Sequence, residues 1–180
     1  MKNIIITEFV SLDGIMENPS WTFPYWNDEI AAFKSEETSA NEPLLLGRVT
    51  YEGFAASWPQ RTDEASGGVY FNGTRKYVVS TTLDSLNWNN SVLIKDNILE
   101  EIRKLKQGEG PDIVVHGSAT LVQTLLKHDL VDRIRLLVYP VVLGEGKRLF
   151  KEGTTATFKL VKSQPFRSGV TALIYEPDRE

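Results

Sequence analysis

Short apolar runs typical of buried strands alternate with helical patterns through most of the 180-residue chain. The runs are rich in β-branched and aliphatic residues, and several segments between them place apolar residues on one helical face. A strand, a helix and a second strand in succession favour parallel pairing, with helices on both faces of the sheet. Because ligands of such α/β folds bind at the carboxyl ends of the strands, we expect the functional residues where strands end.

The pattern predicts the order of the elements. Asn27 is expected to cap the first helix, because asparagine favours that position. The aromatic stretch 21–26 and the glycine-containing stretch 57–74 predict loops, and the length suits one domain. Strands are expected at 4–10, 44–47, 77–79, 92–94, 112–116, 133–139 and, as a closing antiparallel pair, 157–161 and 169–175; helices are expected at 28–38, from 48 onward, at 98–105 and at 121–126.

Composition and charge exclude several functional classes. The chain has no cysteine, which rules out disulfides, a thiolate nucleophile and zinc sites built on sulfur, and no metal site is expected. The net charge of -4 argues against general nucleic-acid binding, which needs a basic face. No apolar stretch approaches the ~20 residues of a membrane helix, and the N-terminus matches a strand better than a signal peptide. We therefore expect a cytoplasmic protein without membrane or nucleic-acid partners.

The first candidate site is the turn that follows the second strand. There Gly47 lets the backbone approach a ligand, and the helix that begins next offers free amides and a dipole that favour an anion. Thr50 can donate a hydroxyl hydrogen bond, and Arg48 can make a two-pronged contact with a phosphate. The alternative is an ordinary strand–helix turn with a solvated arginine.

Two more strands end in residues that suit a nucleotide. Ser80 and Thr81 follow the third strand, where their hydroxyls could bind a ribose or its phosphate, or only shape a turn. Gly117 follows the strand that ends at His116, where it could admit a pyrophosphate or only permit tight packing. A structural, hydrogen-bonded role is favoured for His116. A dinucleotide is long enough to touch several adjacent strand ends, so the three turns support one another.

In matching order, these segments resemble those of dihydrofolate reductases and of their relatives in riboflavin biosynthesis. The likeness spans nearly the whole chain, and it implies a dihydrofolate reductase-like three-layer fold with a mostly parallel sheet and a C-terminal antiparallel hairpin. The segments that carry it are Ser11-Leu12-Asp13-Gly14, Gly47-Arg48-Val49-Thr50-Tyr51-Glu52, Val78-Val79-Ser80-Thr81, Ile113-Val114-Val115-His116-Gly117-Ser118 and, closest to the riboflavin branch, 140–150.

The resemblance implies that the protein binds NADPH. Arg48 and Thr81 would lie near the adenosine 2′-phosphate, and Thr50 and the backbone of Val49 would face the pyrophosphate. Ser118 departs from the family pattern, in which two glycines are joined through a cis peptide bond. The remaining cofactor contacts would come from Gly47, Ser80, Gly117, Ser118, Ala119 and Thr120.

The resemblance also implies a substrate site. A carboxylate on the first helix would hydrogen-bond a pteridine-like ring and assist its protonation; Glu29 occupies that position, with Asp28 one residue away. Both acids could instead simply favour the helix N-terminus. Asp13 would line the substrate mouth, or only shape the Asp-Gly turn. Trp26 and Phe33 would contact the substrate, although the aromatic residues of 21–26 could equally belong to the core or to a dimer contact.

The function implied is an NADPH-dependent reductase of a small heterocyclic substrate, similar to the 5-amino-6-(5-phosphoribosylamino)uracil reductase of riboflavin biosynthesis or to dihydrofolate reductase. The alternative is a module that binds NADPH or a heterocycle without turnover. The zinc signature of the deaminase half is missing, because it requires cysteine. Family likeness also implies a homodimer, with 136–143 as interface or core. Lys147 and Arg148 could meet a substrate phosphate or only keep a loop soluble.

Overall fold

An eight-stranded sheet forms the middle layer of the molecule, in a computed structural model that describes residues 1–179. The strands are β1 (Ile4–Val10), β2 (Leu44–Gly47), β3 (Lys76–Val79), β4 (Ser91–Ile94), β5 (Ile113–Val115), β6 (Arg133–Val138), β7 (Phe158–Pro165) and β8 (Thr171–Pro177). Their order across the sheet is β4-β3-β2-β5-β1-β6-β8-β7. Pairing is parallel from β4 to β6, and β8 runs antiparallel to both β6 and β7. The predicted parallel sheet and its closing antiparallel pair are confirmed.

Within the described part of the chain, five α-helices and two short 3-10 helices connect the strands. The α-helices are α1 (Asp28–Thr38), α2 (Arg48–Ser57), α3 (Gly68–Gly73), α4 (Ile98–Gln107) and α5 (Ala119–Lys127), and the 3-10 helices cover Pro19–Tyr25 and Trp58–Gln60. As expected, Asn27 caps α1, because its side-chain Oδ1 accepts a hydrogen bond of 3.0 Å from the Ile30 amide. None of the helices in residues 1–179 is long and apolar enough to cross a membrane.

The side chains of β2 alternate between the two faces of the sheet and belong to two different hydrophobic clusters. Leu45 packs in a cluster with residues of α4 and α5 on one face, whereas Leu44 and Leu46 pack with α2 and α3 on the other. Successive strand residues point to opposite faces, so a strand that is apolar throughout must be covered on both sides. On the α2 side of the sheet a further cluster joins α1 to β6 and β8. The three-layer arrangement predicted from the sequence is confirmed.

The predicted loop at 57–74 is wrong. This segment contains the 3-10 helix Trp58–Gln60 and α3, and it buries Tyr70 and Phe71 against the sheet. The rings of Trp58 and Phe71 stack with centroids 4.0 Å apart, and the Tyr70 hydroxyl donates a 2.7 Å hydrogen bond to the Glu42 carbonyl. The glycine and polar residues of this segment gave no helical pattern in the sequence, because its helices depend on tertiary packing of aromatic rings. The predicted loop at 21–26 is likewise mostly helical, within Pro19–Tyr25.

The run 136–143 contributes to the core. Leu137 and Tyr139 are buried, and the Tyr139 ring meets the rings of Phe9, Trp21 and Tyr25 edge-on at centroid distances of 5.5–5.8 Å. Edge-to-face contacts of this kind are favourable aromatic geometry. Of the two alternatives for this run, core packing holds at these positions, and the homodimer stays a prediction.

The buried side chain of Lys76 stabilises β3, the strand that leads to Ser80 and Thr81. The Lys76 side chain is fully buried, and its ammonium donates to the carbonyls of Asn72, Thr74 and Asn89 at 2.8–3.3 Å. The ammonium also lies 4.1 Å from the centre of the Trp88 ring. All three donors are therefore matched, which is the condition under which a buried cation is tolerated.

We expect Lys76→Met to lower the free energy of unfolding by about 2–4 kcal/mol, because it leaves three carbonyls without their shared donor. Urea denaturation followed by circular dichroism measures this change. Lys104→Met, at an exposed lysine of α4, is the matched control and should change stability far less. Equal losses in both variants would show that the Lys76 cage contributes nothing.

Candidate functional site

The turns after β2 and β5 touch each other at the carboxyl edge of the sheet. The Gly47 amide donates a 2.9 Å hydrogen bond to the Gly117 carbonyl. A Cβ atom added to Gly47 would overlap Ser118 Oγ and lie 2.8 Å from the Ser118 amide nitrogen. The close approach of the two turns therefore requires glycine at 47. Two of the three turns predicted from the sequence are directly joined.

The N-terminus of α2 carries the residues predicted to face phosphates. No side chain caps this helix, because its N-cap residue is Gly47. Arg48 and Val49 are exposed, and the Arg48 guanidinium donates to Glu52 Oε2 at 2.9 Å. Thr50 points toward the other turn: its Oγ1 lies 2.7 Å from the position that a Gly117 Cβ would occupy. Uncapped amides with adjacent arginine and threonine suit an anion.

The N-terminus of α5 forms the opposite wall. Ser118 caps this helix through a 3.3 Å hydrogen bond from the Leu121 amide to its Oγ, and Ala119 is buried behind it. The Gly117–Ser118 peptide bond that leads into the helix is cis. The Lys147 ammonium donates to Thr120 Oγ1 at 2.9 Å. This contact places a cation at the helix N-terminus, where an anionic ligand would meet it.

The turn after β3 lies beside the turn after β2, because Val79 is in register with Gly47. Ser80 is buried, and its Oγ accepts hydrogen bonds from the amides of Thr82 and Leu83 at 3.2 and 3.1 Å. Its hydroxyl therefore shapes the turn, which was the alternative role considered for it. Thr81 is exposed at the same edge of the sheet as Arg48.

Glu29 and Phe33 lie on the side of α1 that faces the β7–β8 hairpin. Glu29 Oε2 accepts a 2.9 Å hydrogen bond from the Arg167 amide, and this bond with the Arg167 charge lowers the pKa of Glu29. The buried Phe33 ring meets Phe166 with centroids 5.9 Å apart. The contacts of both residues are with the hairpin rather than with the three turns. Trp26, at the end of the preceding 3-10 helix, is 50% exposed. Their roles toward a substrate stay predictions.

Asp13 joins two loops. Its carboxylate accepts hydrogen bonds from the Ser11 hydroxyl at 2.5 Å and from the amides of Leu143 and Gly144 at 3.2 and 2.8 Å. These bonds, the Ser11 bond foremost, lower the pKa of Asp13 to about 2. The carboxylate is thus occupied in shaping the loops, which is the second of the two roles considered for it.

Glu8 is a residue that the sequence reasoning missed. It lies within the apolar strand β1, it is 7% exposed, and its Oε1 is buried without a hydrogen-bond partner. Oε1 lies 3.2 Å from the position of a Gly117 Cβ, so it belongs to the same group of side chains as Thr50. Burial raises the pKa of Glu8 well above its usual range, and the Lys34 charge opposes this only in part. A lone acid in an otherwise apolar β-branched strand was the available signal.

Residues 2–172 match the family model described as the RibD C-terminal domain. The chain belongs to this family. A relative in the RibD C-terminal domain family, the uncharacterized protein YyaP of Bacillus subtilis (strain 168), is 33% identical over 178 residues, which cover 97% of this chain and 94% of YyaP. The uncharacterized protein YwjB of the same organism is 30% identical over 152 residues, or 82% of each chain.

Solved structures with the same fold agree with the RibD C-terminal domain assignment. A putative riboflavin biosynthesis protein from Shewanella sp. PV-4 superposes with a TM-score of 0.76 at 22% identity, covering 98% of this chain and 99% of that one. Dihydrofolate reductase from Enterococcus faecalis, complexed with NADP(H) and RAB-propyl, gives a TM-score of 0.66 at 15% identity, with coverage of 98% and 96%. The fold is therefore that of dihydrofolate reductase.

We expect Gly47→Ala to lower the free energy of unfolding by about 1–3 kcal/mol, because its methyl group overlaps Ser118 and forces the two turns apart. Gly53→Ala is the matched control: no atom lies within 4 Å of the new methyl group, and alanine in a helix gains about 0.5–1 kcal/mol over glycine. Urea denaturation of both variants tests the contact. An unchanged free energy of unfolding in Gly47→Ala would contradict the overlap with Ser118.

We expect the stability of Glu8→Gln, relative to that of the wild type, to increase as the pH rises. The folded protein holds the Glu8 proton more tightly than the unfolded chain, so wild-type stability falls between the unfolded pKa and the raised folded pKa, while glutamine does not titrate. Thermal unfolding from pH 5 to pH 9 measures the difference. Glu36→Gln, at an exposed position of α1, is the control and should differ from the wild type equally throughout. A constant Glu8→Gln difference would contradict a buried neutral acid.

Proposed function

We propose that this protein is an NADPH-dependent reductase of a small heterocyclic substrate. The observation that carries the proposal is the junction of the β2 and β5 turns, where the Gly47 amide bonds the Gly117 carbonyl between two helix N-termini. Two helix N-termini facing one cleft form a site for a pyrophosphate, whose charge they can share. The dihydrofolate reductase of Enterococcus faecalis, which has the same fold, was crystallised with NADP(H).

The residues at this edge fit a phosphorylated dinucleotide. Glycine at 47 and 117 lets the two turns pack closely, so that the N-termini of α2 and α5 lie side by side. Arg48 and Thr81 lie on adjacent turns at one end, where a guanidinium and a hydroxyl suit the 2′-phosphate that distinguishes NADPH from NADH. The Lys147 ammonium beside Thr120 adds a second cation near the pyrophosphate.

Bound NADPH would supply a hydride to an electron-poor carbon of the substrate, such as that of a C=N bond. The protein's part is to orient both reactants and to exclude water from the cleft. Trp26 presents half of its surface to solvent, which suits a ring that stacks on a flat heterocycle. Intermediates of riboflavin biosynthesis and pterins are the substrate classes that the family suggests.

The test is NADPH binding followed by turnover. Titration of NADPH fluorescence should show saturable binding, and absorbance at the NADPH band should fall when a pterin, flavin precursor or quinone from a panel is accepted. Absence of any NADPH binding at millimolar concentration would refute the proposal. Binding without consumption across the whole panel would instead favour a binding module without turnover.

We expect Arg48→Ala to weaken NADPH binding by about 10-fold to 100-fold, because a charge-assisted hydrogen bond contributes ~1.5–3 kcal/mol. NADH affinity should change little, since it lacks the 2′-phosphate. Dissociation constants for both nucleotides, measured by calorimetry, give the comparison. Arg103→Ala, at an exposed arginine of α4, is the control and should leave both constants unaltered. Equal weakening of both nucleotides would place Arg48 away from the 2′-phosphate.

A further inference from the structure

Glu8 stands level with Gly117 across the sheet. Ile6 of β1 is in register with Val115 of β5, so two residues further along each strand Glu8 comes beside Gly117. β5 ends at Val115, whereas β1 continues to Val10 with β6 on its other side. Glu8 therefore lies where β1 has lost its neighbour and the cleft between the turns begins.

Gly117 is packed tightly against three other side chains. A Cβ atom added to it would lie 2.7 Å from Thr50 Oγ1, 3.2 Å from Glu8 Oε1 and 3.5 Å from Met16 Cε. Only glycine fits there, and it brings the backbone of the turn after β5 against the Glu8 carboxyl group.

The Glu8 carboxyl group has an oxygen that is free to form a hydrogen bond with a ligand. Oε1 is buried and has no partner within residues 1–179, and a buried polar atom without one carries a desolvation cost. Buried polar groups in native proteins are otherwise almost always paired. A polar ligand atom beside Gly117 would provide the partner.

The sheet order indicates which part of the ligand reaches Glu8. Along the carboxyl edge, the strands follow the order β3, β2, β5, β1. A dinucleotide with its 2′-phosphate at Thr81 and Arg48, and its pyrophosphate between α2 and α5, extends next over Gly117 toward β1. Its carboxamide-bearing ring then arrives at Glu8.

We propose that Glu8 binds the cofactor as a neutral carboxylic acid, whose hydroxyl donates a hydrogen bond to the carboxamide oxygen of the nicotinamide ring. This inference rests on the proposed NADPH site. The geometry that carries it is the partnerless Oε1 beside Gly117, on the strand that follows β5 in the sheet.

The surrounding charges agree with a neutral acid. Lys34 of α1 attracts the ionised form, but its ammonium is also engaged by Glu37 and by the Thr7 hydroxyl. Burial lowers the pKa of His116, at the end of β5, so that its imidazole is uncharged. Thr50 of α2 and Met16 of the loop after β1 bring no charge. A protonated Glu8 adds no negative charge beside a polyanionic ligand.

The experiment compares NADPH with ADP-ribose 2′-phosphate, the fragment that lacks the nicotinamide ring. Glu8→Leu, of nearly the same size, removes the donor, and Glu8→Gln keeps one that does not titrate. Glu42→Gln is the matched control, because Glu42 is also buried with an orphaned oxygen but precedes β2, at the opposite edge of the sheet. Dissociation constants are measured by calorimetry at pH 7, where the 2′-phosphate is largely ionised.

Glu8→Leu should weaken NADPH about 5-fold to 10-fold, the effect of one neutral hydrogen bond, and leave the ring-less fragment within about twofold. Glu8→Gln keeps a donor and, like Glu42→Gln, should bind NADPH within about twofold of the wild type. Unaltered NADPH affinity in Glu8→Leu, or equal weakening of both ligands, would overturn the inference.

The same measurements separate this inference from the proposed function. If the wild-type protein binds neither ligand, the NADPH site itself is refuted and the role of Glu8 falls with it. If both ligands bind and Glu8→Leu fails to discriminate between them, the NADPH site stands and the role given to Glu8 is wrong.

Discussion

The close approach of two backbone turns organises this molecule's carboxyl edge. The Gly47 amide reaches the Gly117 carbonyl only because neither residue has a side chain in the way, and Ser118 fills the space that a Cβ at 47 would need. That approach places the N-termini of α2 and α5 side by side at this edge. β3 on one side and β1 on the other then add Thr81 and Glu8 to the same edge. The grouping of these residues is thus a product of strand order.

Buried polar side chains in this protein fall into two kinds. Lys76 has three carbonyl partners and an aromatic ring, so its ammonium is complete without any ligand. Glu8 is buried as well, but one of its oxygens has no partner. Glu42 also has a partnerless oxygen, at the opposite edge of the sheet. What sets Glu8 apart is therefore its place at the carboxyl edge, beside Gly117 and the strand-end turns.

Local pattern was enough to predict most of the sheet. Apolar, β-branched runs predicted the bounds of β1 and β6 to within one residue. Asn27 indicated the start of α1, because helix capping is a local interaction. α3 was missed because Tyr70 and Phe71 show no helical period of their own; their order comes from Trp58 and the sheet. In the site, strand-end glycines and hydroxyls were found from sequence. Glu8 was not, since its meaning depends on Gly117, which is 109 residues away in sequence and beside it only in the fold.

The loop after β1 is tied to the segment 140–150 at several points. Asp13 holds the amides of Leu143 and Gly144, the Met16 amide bonds the Lys147 carbonyl, and Leu149 returns a hydrogen bond to the Gly14 carbonyl. Met16 packs against Gly117, and its position is set by a segment more than a hundred residues downstream. An insertion or deletion in that segment would move Met16 relative to Gly117 while leaving the three strand-end turns in place. The length of a distant segment thus adjusts how this corner of the sheet is covered.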